Sequence, residues 1–579
     1  QGIIEKEKWM RLSATIGMIG VALAIGYYMA SIVLMPMQEY LPFSIRGAGT
    51  SSGVSGLSYD YATNWSFDWW SIFTFIIPGF SGFGDITYWG DMPFTTYPHY
   101  LGIPVVILAI ITLFTKKDQG DYWFFVMVIC FSLLISMGKN FAILSRLLLD
   151  WLPYFNKFRE PSMILILFSM SIAVLASWGF QHVQQLLKEQ TKIDWEKLFL
   201  RILIGIGVIA ITAFLFKGGL YKMMTEIYSS ADRSTDRIQR FQNPQQIKYL
   251  YQLRFDLFYR DLWISLLLSA STIGIIWLAL RKKINRQSLA IILISLIMLD
   301  LGYVGRKVIA PMFSNIPRQG LEPKKTEVIQ FLLKDSDIFR VYPVDNWTTN
   351  EYGYYRIASI GGYHAAKMAN YQDFISDNMF NNINFLKLSN TKYTISSQHI
   401  DHPEFVHKES FDGKHIYMLK NWLPRVFLVD SVIYSKDKAE TLNLIKSSQF
   451  NPGRNAILTR NLSDLHLNSS GSEVEIDSWE PEKIQISVRV QDTCLLALSE
   501  GYYPPGWNAY IDGNKTEIFQ TNHFMQSIVV PTGDHKVEFR FALPSFNRAL
   551  IISRTIFIAV LVTLLGYGIW MNRQRLKLT

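Results

Sequence analysis

The chain has 579 residues, of which 49% are apolar, 14% aromatic and only 18% charged. This composition excludes a disordered or collagen-like chain, and it is too apolar for an ordinary soluble enzyme of this length. Two cysteines in the whole chain exclude a disulfide-stapled scaffold. The formal net charge is +9, but the basic residues fall in short clusters beside apolar runs. That pattern predicts a membrane partner and no nucleic acid.

Eight apolar runs are candidates for membrane helices, which need about 20 residues and can work with about 17. They cover residues 12–35, 98–115, 121–138, 161–181, 197–216, 261–280, 287–304 and 549–571. The second and third runs are short and are joined by a tight hairpin at Lys116 and Lys117. The sequence therefore predicts a polytopic α-helical membrane protein with about eight transmembrane helices.

The distribution of Lys and Arg predicts an orientation, because basic residues in short loops are retained in the cytoplasm. With the N-terminus inside, the inner segments hold 14 Lys or Arg in 45 residues. The outer loops 36–97, 139–160 and 217–260 hold 13 in 128. We therefore expect both termini in the cytoplasm and residues 305–548 outside it. The chain begins at Gln1 and soon enters an apolar run, so we expect an upstream portion to be missing.

Residues 305–548 are too polar to span a membrane and divide into two predicted domains. Residues 305–465 mix helical patterns with short strands and predict an α+β domain. Residues 466–548 alternate polar and apolar side chains between turn pairs such as Asp512-Gly513, a pair that favours hairpins. The sequence therefore predicts a β-sandwich, followed by a last membrane helix and basic tail at 549–579.

The outer loop 36–97 is rich in aromatic residues, Trp65, Tyr88 and Trp89 among them, and its single basic residue is Arg46. One interpretation is an interfacial belt, in which aromatic rings lie at the level of the lipid headgroups. The other is a surface that lines a sugar or lipid site, because aromatic faces stack on pyranose rings. The sequence leaves both interpretations open.

Carboxylates lie in and beside this loop. They are Glu39, Asp60, Asp68, Asp85 and Asp91. A carboxylate at the rim of a membrane cavity could act as a general base or a metal ligand. The irregular spacing of these residues favours ordinary loop capping for any one of them.

Lys157 and Arg159 stand directly before Pro161, where a membrane span is predicted to begin. Two cations beside a helix N-terminus form a natural anion site, since the free N–H groups and the positive end of the dipole point the same way. A lipid phosphate or pyrophosphate is the anion expected at that depth. The alternative is that both side chains extend towards ordinary lipid headgroups.

Motifs along nearly the whole chain carry a family resemblance. They are SIR (44–46), YDYATNWSF (59–67), YWGDMPFT (88–95), GKN (138–140), FNKFREPSM (155–163), SIGGYHAA (359–366) and the stretch from Gly501 to Phe546. With these motifs the sequence resembles the bacterial YfhO membrane-protein family. The resemblance implies a C-type (GT-C) glycosyltransferase fold in the bacterial cytoplasmic membrane. It also implies transfer of a sugar from a polyprenyl-phosphate donor to an extracytoplasmic glycan, lipid or polymer.

The resemblance also implies roles for matching residues. It implies donor-phosphate ligands at Lys157, Arg159 and Arg46. It implies cavity-wall residues at Trp89, Gly90 and Asp91, beside which Tyr88 and Trp65 are further candidates. In the superfamily the catalytic carboxylate follows the first helix, so we expect it in the missing upstream portion, with Glu39 and Asp91 as weak candidates here. A divalent metal ion is compatible with this chemistry, but the sequence shows no paired His or Cys spacing.

Three aromatic residues of the predicted sandwich, Tyr502, Tyr503 and Trp507, could hold carbohydrate, although a place in the structural core is the favoured interpretation.

A second hypothesis for the whole chain is a non-catalytic scaffold or accessory subunit of an envelope export or assembly complex, with envelope proteins as partners. That hypothesis predicts no acidic cavity near the membrane helices.

Overall fold

The computed structural model describes residues 2–47, 57–95, 97–115, 120–188, 194–234, 243–310, 323–460 and 466–578. They fall into a central unit, residues 56–316, and a terminal unit, residues 1–55 with 317–579. Six of the described helices are long and apolar enough to cross a membrane: Trp9–Met29, Pro161–Leu186, Trp195–Leu215, Pro244–Leu280, Arg286–Ile309 and Pro544–Gln574. The chain is therefore a polytopic helical membrane protein, as predicted.

The second and third predicted spans do not form two full membrane-crossing helices. Ile103–Thr115 has 13 residues, fewer than a membrane crossing needs. Gly120–Ser136 is followed by Gly138–Trp151 after a bend of 111°, so the two form at most one broken span. The predicted Lys116-Lys117 hairpin lies outside the described residues, as do 48–56 and 235–242 of the predicted outer loops.

The regular elements described in the central unit are helices. Its α-helices are Tyr59–Ala62, Gly84–Thr87, Ile103–Thr115, Gly120–Ser136, Ala142–Trp151, Leu165–Leu186, Trp195–Leu215, Lys217–Ser234, Pro244–Leu280 and Arg286–Ile309. Short 3₁₀ turns lie at Trp70–Phe75, Gly138–Phe141, Phe155–Lys157 and Pro161–Ile164.

Helices Ile103–Thr115 and Leu165–Leu186 pack closely against each other in the core of this unit. The hydroxyl of Thr112 donates to the carbonyl of Leu175 at 2.6 Å. Gly179 lies so close to the carbonyl of Leu108 that no side chain would fit there. Asp300 accepts the backbone N–H of Ile103 at 2.8 Å, which caps the start of Ile103–Thr115 from a neighbouring helix. The small residue Gly179 and the cap supplied by Asp300 therefore allow the 13-residue helix Ile103–Thr115 to pack inside the bundle.

The terminal unit joins both ends of the chain. Its α-helices are Gly2–Met29, Ser31–Tyr40, Glu327–Leu332, Glu351–Tyr354, Ala369–Ser376, Ile383–Leu388, Lys438–Lys446 and Pro544–Leu578. The hydroxyl of Ser31 donates to the carbonyl of Ala549 at 3.0 Å. The hydroxyl of Ser553 donates to the backbone carbonyl of Met29 at 2.6 Å. These bonds tie the first helices of the chain to the last one.

Three sheets complete the terminal unit. The first has the strand order Ala358–Ser359, Arg340–Pro343, Thr391–Ser396, Lys414–Leu419, Phe405–Phe411. The second runs Asn514–Thr516, Trp507–Ile511, Gly533–Phe541, Lys483–Val490, Glu473–Glu480. The third runs Val426–Val429, Cys494–Leu498, Met525–Val530, Phe519–Thr521, Asn455–Leu458, Ser431–Tyr434. The second and third sheets share one apolar core, which includes Ile486, Leu496 and Phe539, so they form a β-sandwich.

The sandwich includes strands from the predicted α+β region. Leu496 pairs with Leu428 across two neighbouring strands, although the residues are far apart in sequence. The predicted boundary between residues 465 and 466 stays a prediction, but strands on both sides of it share one sheet. The hairpin predicted at Asp512-Gly513 is confirmed, with φ of 50° and 82° at the two residues.

Candidate functional site

The aromatic segment 57–101 of the central unit is fixed by polar and apolar contacts. The N–H of Phe67 donates to the carbonyl of Ser136 at 2.8 Å, and the Asn140 side chain donates to the carbonyl of Phe67 at 3.1 Å. Phe67 and Tyr88 are buried in one cluster with Phe168. The segment is therefore a rigid wall, and a cavity lies against it at each of two places.

The first cavity, here the Glu160 cavity, has a volume of about 560 Å³. Its lining includes Trp65, Phe94, Tyr97, His99, Glu160, Ser162, Met163 and Ile166. The last three belong to the beginning of the candidate membrane span Pro161–Leu186. One cavity thus combines aromatic rings, a carboxylate and the apolar face of a membrane helix.

Arg159 lies beside this cavity and is largely buried, with a side chain that is 14% exposed. Its Nη2 donates to Glu160 Oε1 at 3.0 Å and its Nη1 donates to the Tyr61 hydroxyl at 2.9 Å. Its guanidinium carbon lies 4.5 Å from the centroid of the Trp65 ring, within reach of a cation–π contact. Arg159 therefore orients Glu160 and brings positive charge to the aromatic wall.

The other two predicted phosphate ligands, Lys157 and Arg46, lie in different units of the chain. Lys157 ends the turn Phe155–Lys157, two residues before Arg159, and burial lowers its pKa. Arg46 belongs to the terminal unit, where its Nε donates to the carbonyl of Ala365 at 3.4 Å. The structure thus brings Lys157 and Arg159 together in one segment of the central unit. The role of all three as phosphate ligands stays a prediction.

Glu160 is a candidate that the sequence analysis did not identify. Its φ is 69°, a left-handed conformation that a glutamate rarely adopts, and its side chain lines the cavity. Such conformations cluster at functional sites because the surroundings must stabilise them. The only signal in the sequence is a carboxylate enclosed between Arg159 and Pro161, and that pattern does not specify a backbone angle.

The second cavity, here the Asp68 cavity, has a volume of about 540 Å³. Its lining includes Asp68, Trp69, Trp70, Trp89, Gly90, Asp91, Asn140 and Glu226. Both oxygens of Asp68 accept hydrogen bonds from Ser71, at 2.8 Å from the amide and 2.7 Å from the hydroxyl. Trp69 and Trp70 are exposed. Carboxylates and tryptophans together form a surface suited to a carbohydrate.

The predicted cavity-wall residues are divided between the two cavities and the apolar core. Trp89 and Gly90 line the Asp68 cavity and Trp65 lines the Glu160 cavity. Tyr88 is 3% exposed and belongs to the apolar core. A side chain at Gly90 would meet the Tyr88 hydroxyl and lie 2.7 Å from Asp68 Oδ2, so this position requires glycine. The backbone N–H of Asp91 donates to the same Asp68 oxygen at 3.1 Å.

A buried ion pair holds the segment that carries Trp89. Arg254 and Asp232 are each 2% exposed and lie 2.6 Å apart, Nη1 to Oδ2. Arg254 also donates to the carbonyls of Thr87 at 3.0 Å and Tyr88 at 3.3 Å. One guanidinium therefore connects helices Lys217–Ser234 and Pro244–Leu280 to the wall of the Asp68 cavity.

The remaining candidates lie in the terminal unit. Glu39 accepts a hydrogen bond from the Ser545 hydroxyl. Tyr503 is 8% exposed and packs on Phe541, on which the Trp507 ring also packs. These contacts agree with a structural role for the two rings. Tyr502 lies next to them, and its backbone N–H donates to the carbonyl of Phe524 at 2.7 Å.

The described residues contain no group of three or more His, Cys, Asp or Glu side chains that could hold a metal ion. Asp335 and Asp337, which resemble the DxD pattern of nucleotide-sugar transferases, both pair with Lys392. Asp335 also accepts the backbone N–H of Asp337 at 3.0 Å. This geometry is that of a helix-end turn closed by an ion pair.

Comparison with known proteins finds a family match in the terminal unit. Residues 425–553 match the family model described as bacterial membrane protein YfhO. In this region the chain is similar to the YfhO family of bacterial membrane proteins. No curated protein and no solved structure matches it. The matched residues run from the first strand of the sandwich, Val426–Val429, into the helix Pro544–Leu578. Both cavities of the central unit lie outside the matched range.

Proposed function

We propose that the chain is a membrane glycosyltransferase that moves a sugar from a polyprenyl-phosphate donor to a glycan, lipid or polymer acceptor. The observation that carries the proposal is the mixed lining of the Glu160 cavity. Met163 and Ile166 are 69% and 66% exposed on a candidate membrane helix, so they can contact an isoprenoid chain. Trp65 and Tyr97 offer rings to the sugar, and Lys157 and Arg159 supply cations for the phosphate.

The chemistry follows from these groups. The acceptor hydroxyl oxygen bonds to the anomeric carbon of the sugar, and the bond from that carbon to the phosphate oxygen breaks. Polyprenyl phosphate leaves with the bonding electrons, and fixed cations in a partly dry cavity stabilise its developing charge. The hydroxyl proton passes to Glu160, whose carboxylate Arg159 orients.

The Asp68 cavity supports transfer over a purely structural role. The scaffold hypothesis expects no acidic cavity near the membrane helices, whereas Asp68, Asp91 and Glu226 line one. In the proposed enzyme this cavity binds a distal part of the carbohydrate acceptor, while the reacting hydroxyl lies in the Glu160 cavity. The site lies at the external face of the bacterial cytoplasmic membrane in this proposal, with both ends of the chain in the cytoplasm.

Sugar transfer by the full-length protein in lipid nanodiscs tests the proposal. The substrates are radiolabelled hexoses and N-acetylhexosamines on polyprenyl phosphate, and the measurement is transfer of the label from the lipid donor to the acceptor. We expect Arg159→Ala to lower turnover roughly 100-fold or more, as loss of a charge-stabilising donor does. The matched control is Arg146→Ala, since Arg146 stacks on Tyr59 outside both cavity linings. Equal turnover by the two variants would contradict the proposal.

A further inference from the structure

A third cavity lies in the terminal unit, against the SIGGYHAA motif at 359–366, to which the proposed transfer reaction assigns no role. The cavity has a volume of about 370 Å³, within the range of small-molecule sites. Its lining includes Arg340, Gly362, Lys367, Asn370, Tyr371 and Phe524. Strand Arg340–Pro343, the motif and the first turn of helix Ala369–Ser376 therefore meet around one space.

The glycine pair of the motif gives this cavity a fixed shape. A side chain at Gly361 would collide with the carbonyl of Trp347, and Gly362 has a φ of 118°, which favours glycine. The N–H of Gly362 donates to the same Trp347 carbonyl at 2.7 Å. The Asn350 side chain accepts the N–H of Tyr363 at 3.0 Å and donates to its carbonyl at 3.3 Å. The backbone around the cavity is thus preorganised.

The lining carries positive charge without a carboxylate. Arg340 and Lys367 contribute to it, and no described Asp or Glu lines the cavity. Lys367 is partly buried, and its backbone carbonyl accepts the N–H of Ile45 at 3.0 Å. Burial lowers the pKa of its ammonium group. Among the described residues no carboxylate lies within ion-pair distance of that ammonium, so its charge faces the cavity uncompensated.

Beside the cavity, the buried arginines also outnumber the carboxylate that pairs with them, which adds to the positive charge. Glu500 contacts both Arg340, at 3.1 Å, and Arg425, at 3.6 Å, so one carboxylate balances two guanidinium groups. Burial, and then the neighbouring charge of Arg340, lowers the pKa of Arg425 to about 9. Asn370 and Tyr371 in the first turn of helix Ala369–Ser376 line the cavity, so the positive end of that helix dipole lies at the lining.

We propose that this cavity binds an oxyanion, a phosphate or a carboxylate, carried by a sugar-sized ligand. The Lys367 ammonium binds the oxyanion, and the positive charge of Arg340 strengthens the attraction from the base of the cavity. The rings of Tyr371 and Phe524 contact the apolar face of the ligand. The inference does not rest on the proposed transfer reaction, because it concerns another cavity and its test measures binding alone.

Calorimetric titration of the full-length protein in nanodiscs tests the inference. The probes are glucose 6-phosphate, glucuronate and neutral glucose, so the first two distinguish a phosphate from a carboxylate. We expect at least one anion to bind ten times more tightly than glucose. Lys367→Ala should weaken that binding tenfold or more, and Lys367→Arg should keep most of it because the charge remains. Lys515→Ala, at an exposed position of the same unit, should leave it unchanged.

Three results would overturn the inference. The first is the absence of binding of either anion by the wild-type protein at millimolar concentration. The second is glucose binding as tight as that of both anions. The third is anion binding that Lys367→Ala leaves unchanged while the variant elutes and melts like the wild type.

Discussion

Glu160 combines a cavity position with an unusual backbone angle. Its φ of 69° lies in the left-handed region, and its carboxylate accepts a hydrogen bond from the adjacent Arg159 at 3.0 Å. Proline follows directly, and a 3₁₀ turn at Pro161–Ile164 begins the membrane span. The chain thus bends at the point where a carboxylate, a guanidinium and the start of the span meet, so the strain positions chemical groups.

Replacement of Glu160 by glutamine tests its role as the general base. The amide keeps the shape of the side chain but cannot take the acceptor's proton. We expect the turnover number for sugar transfer to fall roughly 10²- to 10⁴-fold, with the KM for the donor changed much less. Steady-state kinetics in nanodiscs measure both constants.

Asp91→Asn is the matched carboxylate variant, since Asp91 lines the other cavity. We expect it to raise the KM for the acceptor more than it lowers the turnover number. A complete loss of turnover in Asp91→Asn, with normal turnover in Glu160→Gln, would assign the base to Asp91 and contradict the role of Glu160.

At the scale of the elements, two helices hold the segment that lines both cavities. Arg254 on Pro244–Leu280 pairs with Asp232 on Lys217–Ser234 and donates to two carbonyls of the wall. A buried charge without its partner is strongly destabilising, because the low-dielectric surroundings cannot solvate it. The ion pair therefore couples the position of Trp89 to the packing of these helices.

Arg254→Met removes one partner of this buried pair and both hydrogen bonds to the wall. We expect a loss of about 3–5 kcal/mol of stability, the usual cost of leaving a buried charge unpaired. Thermal unfolding of the purified protein in detergent measures it. Arg254→Lys should not restore stability, since a single ammonium cannot reach Asp232 and two carbonyls together.

The control for this prediction is Arg281→Met. Arg281 and Glu196 form an ion pair in which both side chains are about half exposed, and such pairs contribute roughly 0–1 kcal/mol. Equal melting temperatures for Arg254→Met and Arg281→Met would show that the buried pair does not hold the wall.

Local sequence patterns predicted the individual helices and strands better than they predicted which elements pack or pair with each other. Six of the eight apolar runs identified helices long enough to cross a membrane, and Asp512-Gly513 identified a hairpin, because both signals are local in the sequence. The pairing of Leu496 with Leu428 depends on contacts between distant segments. The left-handed angle of Glu160 and the enclosed position of Lys367 are also set by tertiary packing, and no spacing in the sequence specifies them.

At the scale of the whole molecule, the family match and the candidate site occupy different units. The match covers residues 425–553 in the terminal unit, whereas the Glu160 and Asp68 cavities lie in the central unit. Basic residues near the ends of the membrane helices predict that the large region between 305 and 548 is extracytoplasmic. If so, the terminal unit presents its sandwich and its cationic cavity on that side.

Cysteine labelling in intact cells tests this orientation. In a Cys130→Ser background, we expect a membrane-impermeant maleimide to label Ser470→Cys without permeabilisation, and Lys283→Cys after permeabilisation alone. Both positions are exposed. The native Cys494 is buried, and burial raises the pKa of its thiol to about 11, so it stays unreactive. The reverse labelling pattern would contradict the orientation.

The most direct test of the central claim is a cryo-electron microscopy map of the full-length protein in nanodiscs with a non-hydrolysable polyprenyl-phosphate sugar. The account predicts density for the isoprenoid along Met163 and Ile166, for the phosphate near Lys157 and Arg159, and for the sugar against Trp65 and Glu160. A donor bound elsewhere while the Glu160 cavity holds none, or no bound donor at saturating concentration, would contradict it.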